Sequence, residues 1–115
     1  MLVELKDETG ALAWVRPDLG AWLLRYARPV AGAGLIEALH YDPAVVDRYP
    51  KEMWAGNPLL FPHVSSNNAR GVDGQYELNQ TLFQSPQHGF GRRVPWRVTA
   101  QSAPSVTLEL TEGPA

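Results

Sequence analysis

The residue here best suited to moving a proton near neutral pH is His88. It lies in Pro86-Gln87-His88-Gly89-Phe90-Gly91-Arg92-Arg93, where proline- and glycine-containing segments can project it into a cleft. Its plain alternative is a loop histidine bonded to backbone. Arg70 follows Asn67-Asn68-Ala69 and carries a planar fork able to bond two vicinal oxygens of a ligand. A surface arginine beside Asp73 is its competing role. Arg92 reads first as a structural ion pair and second as a ligand contact, to a phosphate if the ligand carries one. Asn68 is a further candidate for a ligand hydroxyl, although Asn67 and Asn68 both suit a turn. Trp54 approaches this region through an irregular segment and can stack on a ligand face. Trp14, Trp22 and Trp96 alternate along strands and read as core.

Other chemistries find no residues. The 115-residue chain has no cysteine, which removes disulfides, thiolate catalysis and cysteine-based zinc sites together. His40 and His63 have no partner at metal-ligand spacing, so neither a metal nor another cofactor is expected. No glycine-rich phosphate loop follows a strand, and no nucleophile elbow is present. A net charge of −2 offers no global attraction to nucleic acid or an anionic membrane surface. Met1-Leu2-Val3-Glu4-Leu5-Lys6 alternates apolar and charged residues rather than forming a secretory h-region, and no apolar run is long enough for a bilayer helix. The default expectation is a cytoplasmic protein.

The elements that must hold these residues read as β-structure in one domain, 1–115. Leu2–Lys6, Ala11–Arg16 and Ala21–Ala27 are expected strands, with Pro17-Asp18-Leu19-Gly20 as a turn. In the third strand, alternation puts Trp22, Leu24 and Tyr26 on one face. Arg28–Gly34 reads as a connection, and Leu35–His40 as another strand. Asp42-Pro43 caps a short helix over Ala44–Arg48, which Pro50 ends. Pro58–Pro62 is a short buried run bracketed by prolines, hence irregular or an edge segment. Gln75–Leu78 and Thr81–Gln84 form a hairpin across Asn79-Gln80. Val94–Gln101 and Ser105–Thr111 close the chain as two alternating strands. Short strands at this spacing predict an antiparallel all-β sandwich. Glu112–Ala115 follow the last strand directly with nothing to cover a sheet edge, so self-association or a partner chain supplying missing strands is expected.

The central stretch resembles the aldose 1-epimerase (galactose mutarotase-like) family. Asn57-Pro58-Leu59-Leu60-Phe61-Pro62, then Arg70 with Gly74 and Tyr76, then His88-Gly89-Phe90-Gly91-Arg92 with Trp96 follow that family's motifs in order and spacing. Ala69 departs from the pattern, which has asparagine there. The resemblance implies the opening part of a β-supersandwich and a small sugar as ligand. It gives His88 a catalytic, sugar-polarising role and makes Arg70, Asn68 and Arg92 sugar contacts. The activity it implies is interconversion of the α and β anomers of a hexose, or of a hexose 6-phosphate. The family's second histidine, sugar-binding aspartate and glutamate base come from later segments than this stretch. A non-catalytic carbohydrate-binding remnant, or a structural fragment needing a partner, is the alternative.

Overall fold

The computed structural model describes residues 1–111, and Glu112–Ala115 lie outside the described residues. Ten strands, one short α-helix and two single-turn 3-10 segments follow in order. Strands β1 (Val3–Lys6), β2 (Leu12–Arg16), β3 (Trp22–Val30) and β4 (Gly34–Glu37) form one antiparallel sheet in sequence order. Helix α1 (Pro43–Asp47) follows. Then come three two-stranded antiparallel ladders: β5 (Asn68–Ala69) with β6 (Val72–Asp73), β7 (Gln75–Leu78) with β8 (Thr81–Gln84), and β9 (Arg97–Gln101) with β10 (Val106–Glu109). The chain is therefore all-β, antiparallel and sandwich-like, as its strand spacing predicts.

Local chemistry explains most boundaries. The Asp42 side chain accepts from the Ala44 amide at 3.0 Å and Pro43 occupies the first turn, so α1 starts where the cap requires. Asn79 and Gln80, at φ 52° and 65°, make the two-residue turn whose twist matches a hairpin. Pro17–Leu19 is a 3-10 turn that ends on Gly20 at φ 72°.

Three expectations are corrected. Strand β3 continues through Pro29 to Val30 instead of ending at Ala27, so the connection before β4 is short. Strand β2 pairs with β3 only as far as Ala27. Beyond that point one edge of β3 is open, and a proline lacking an N–H is tolerated there. Second, Tyr26 is 37% exposed while Ala27 is fully buried. Trp14 pairs with Arg25 and Val15 with Leu23, which leaves Leu24 as a bulge residue and reverses the alternation after it. Third, the run Leu59-Leu60-Phe61 is not buried, since each side chain is more than a third exposed. The outer strands are also shorter than expected: β4 ends at Glu37 and β9 begins at Arg97.

The core lies where β3 meets α1 and the segment after it. Trp22, Leu24, Val45, Met53 and Ala55 are buried together, with Leu19, Tyr41 and Tyr49 packed against them. The Trp22 indole N–H donates to the Ala55 carbonyl at 3.0 Å. The Asn57 amide donates to the Leu23 carbonyl, and the Gly56 amide to that of His40, both at 2.7 Å. Residues 53–57 are thus stitched onto β3. Trp14 is half-buried, edge-on to Tyr41 and beneath the Arg25 guanidinium, and its indole N–H bonds Glu4. Among the described residues no helix is long and apolar enough to cross a membrane.

Candidate functional site

The stitched segment forms one wall of a cleft of about 510 Å³, within the usual range for small-molecule sites. Pro50, Lys51, residues 53–58 and Leu60 make that wall, including Trp54, which is 85% exposed. Gln87, His88, Arg92 and Arg93 make the other. A second hollow, between the Asp7–Thr9 turn and Ala103-Pro104, has neither histidine nor aromatic in its lining.

The wall carrying His88 is fixed through its backbone. Phe61 forms a parallel bridge with Gly89, and the Gly91 amide donates to the Phe61 carbonyl at 2.9 Å. Gly89 sits at φ 76°, and a Cβ added to it would overlap the Phe61 carbonyl. Glycine alone permits that approach. Gly20 does the same on the other side, where a Cβ would overlap the Arg92 backbone. The Tyr49 hydroxyl donates to the Arg92 carbonyl at 3.0 Å, and the Trp96 indole N–H to that of Gly91 at 2.9 Å. Burial raises the Tyr49 pKa, so the hydroxyl keeps the proton it donates.

His88 is held twice by one residue. Its amide donates to the Ser65 carbonyl at 2.8 Å, and the Ser65 amide donates to His88 Nδ1 at 2.7 Å. An amide N–H can only donate, so Nδ1 is unprotonated and the ring proton belongs on Nε2. The His88 pKa is lowered by desolvation, then by the charges of Arg92 and His63, which further favours this neutral form. Both residues have left-handed backbone, His88 at φ 64° and Ser65 at φ 69°. Ser65 is the part sequence reasoning missed. It lies 23 residues from His88 and contributes only main-chain atoms, so no motif could mark it.

The expected site residues divide into two groups. His88 and Arg92 share the cleft. Nη2 of Arg92 donates to the Gln87 carbonyl at 3.2 Å, while its buried Nε has no partner among the described residues. Arg70 and Asn68 belong to the β5–β6 hairpin and do not line the cleft. Arg70, at φ 53°, begins the Arg70-Gly71 turn, and its fork takes both carboxylate oxygens of Glu77 at 2.6 and 3.2 Å. The acidic partner is thus Glu77 rather than Asp73, whose carboxylate accepts from the Asn68 amide at 2.7 Å. His63 bonds the Ser85 hydroxyl at 2.7 Å and faces Tyr76. Among the described residues no group of three histidines, aspartates or glutamates could hold a metal.

The fold has a counterpart among solved structures. The Slr1438 protein of Synechocystis sp. PCC 6803 superposes with a TM-score of 0.68 at 23% identity, over 89% of this chain and 32% of its own. The likeness is one of fold, and this chain spans about a third of that protein's length. No protein-family model and no curated protein matches the sequence.

Proposed function

We propose that the cleft binds a pyranose, and that the chain contributes His88 to an aldose 1-epimerase-type reaction. The observation that carries this is the double clamp of Ser65 on His88, which leaves a neutral imidazole on the wall of a cleft with Trp54 also in its lining. An exposed indole face suits the C–H face of a sugar ring. The resemblance over Asn57–Trp96 supports the same ligand class.

Mutarotation needs an acid at the ring oxygen and a base at the C1 hydroxyl. Proton donation to the ring oxygen and removal of the hydroxyl proton break the C1–O5 bond and leave an open-chain aldehyde. Rotation about C1–C2 and reclosure give the other anomer. Nε2–H of His88 is a donor suited to the ring oxygen or its neighbour. No carboxylate lines the cleft among the described residues, so the base must come from another segment or another chain. That absence favours the second reading, a carbohydrate-binding unit that does not turn over alone.

Polarimetry with α-glucose and α-galactose, corrected for spontaneous mutarotation, tests catalysis. NMR titration with the same sugars, following the His88 ring, tests binding. The expected result for this chain by itself is a shifted His88 resonance with no rate above the spontaneous one. No response at His88 to either sugar would defeat the reading.

A further inference from the structure

The segment that carries Ser65 has little to hold it. It lies between α1 and β5, outside the regular elements, and from Phe61 to Ser66 every residue but His63 is exposed. Phe61 is tied to Gly89 and Gly91 at one end, and Ser65 meets His88 at the other. Between them His63 is half-buried. Its Nε2 is 2.7 Å from the hydroxyl of Ser85, which is buried at 6% exposure.

Ser85 is itself fixed through the backbone around it. Its amide donates to the Gly74 carbonyl at 2.9 Å, and the turn that follows closes with the Gly89 amide on the Pro86 carbonyl, also at 2.9 Å. His63 stands two residues before Ser65, and Ser85 three before His88. One side-chain bond therefore sets the spacing of the two stretches that the clamp must bridge. The two rings are within electrostatic reach, since after desolvation and Arg92 it is His63 that lowers the His88 pKa. The other nitrogen of His63, Nδ1, is buried and has no partner among the described residues. A buried polar atom left unpaired is costly, so packing alone would be served better by an apolar ring at this position.

A serine bonded to a histidine at this distance has the form of a nucleophile and its base. Ser85 is too buried for that, and neither residue lines the cleft. We propose instead that His63 is a positioning residue for His88: its bond to Ser85 holds the segment 61–66 where Ser65 can clamp the imidazole in one tautomer. This rests on the reading of His88 as the proton donor of the cleft. Its first consequence is the state of the His88 ring, which can be read without any sugar.

The test compares His63→Asn, His63→Gln, Ser85→Ala and the double variant His63→Asn with Ser85→Ala in the full chain, each checked for folding by circular dichroism. Asparagine places its amide near the position of Nδ1 and glutamine near that of Nε2. A glutamine amide can donate or accept, so of the two only glutamine restores the bond to Ser85. Imidazole 15N shifts and amide hydrogen exchange at neutral pH report the clamp. With the bond removed, in His63→Asn or Ser85→Ala, the His88 shifts should move from the Nε2-protonated pattern towards a mixture of tautomers. The Ser65 amide should then exchange about tenfold faster, the size a lost hydrogen bond allows. His63→Gln should keep the native pattern. The double variant should match either single one, because both remove the same bond. In titrations with glucose and galactose, the His88 response should be weaker in Ser85→Ala than in the native chain.

Native shifts and exchange in folded His63→Asn and Ser85→Ala would overturn the inference, and so would a glutamine variant that behaves like the asparagine one. Should the His63 variants fail to fold, Ser85→Ala decides alone, since it removes one oxygen and leaves the His63 ring in place. A native His88 that responds to neither sugar would defeat the proposed function, while the tautomer comparison would still decide the role of His63.

Discussion

Everything distinctive about His88 comes from which of its nitrogens is free. With Nδ1 accepting from Ser65, protonation of the ring must break that bond, so the folded state resists charging it. Its lowered pKa gives the sign of the pH dependence. The unfolded chain binds the proton more readily, so the His88 contribution is fully present above its ordinary pKa near 6.5 and declines as pH falls through the folded value. Denaturation midpoints measured from about pH 7.5 to pH 5 should fall for the native chain. They should fall less in His88→Gln, and an identical decline in both would show that the clamp is not sensed. Imidazole 15N shifts at neutral pH should show Nε2 protonated and Nδ1 bare. Tyr49 carries a second residue-scale expectation. Tyr49→Phe removes the bond to the Arg92 carbonyl and should cost about 1 kcal/mol by urea denaturation. Its loss should also broaden the amide signals of residues 91–93.

Between elements, glycines set how closely two stretches of backbone can lie. At Gly89 the obstacle to a side chain is the Phe61 main chain, which cannot rotate aside, and φ is 76° as well. Gly89→Ala should therefore cost at least about 1–3 kcal/mol and separate the His88 wall from the Phe61 segment. Chemical denaturation together with loss of the nuclear Overhauser contacts between Phe61 and Gly89 would report it. Trp22→Phe tests the opposite wall. It leaves the Ala55 carbonyl without its donor and should cost about 1–3 kcal/mol, whereas Trp22→Ala should cost about 3–5 kcal/mol. These positions also show what a sequence can disclose. Asp42-Pro43 and Asn79-Gln80 declare a helix start and a hairpin turn because the determining chemistry lies within a few residues. The Leu24 bulge was hidden, because it is decided by the register of β2 against β3 and not by β3 itself. Arg92 reads first as an ion-paired residue, yet among the described residues it meets no carboxylate and lines the cleft instead, and Arg70 found its carboxylate seven positions away, on a strand of the next hairpin.

Across the whole molecule, apolar surface collects away from the core. Leu35 and Ile36 on the edge strand β4 are 47% and 42% exposed, and Leu78, Leu82 and Phe83 on the β7–β8 hairpin are 57%, 41% and 40% exposed. Each would be unremarkable alone, but Leu78 and Phe83 share one face of the hairpin, with Leu82 on the other, and among the described residues both of its outer strand edges are unpaired. Surface of this kind is normally covered by more protein. The expectation is that the chain associates with itself, or with a chain that adds strands, through these elements. Sedimentation velocity over a rising concentration series should show the weight-average coefficient increasing. The variant Leu82→Lys with Phe83→Lys should shift the series towards monomer without changing the circular dichroism spectrum. The cleft lies against different elements, so sugar titrations should be the same for this variant and the native chain. A native chain that stays monomeric at every concentration would refute the association. Loss of ligand binding in the variant would instead mean that the hairpin and the cleft are parts of one surface.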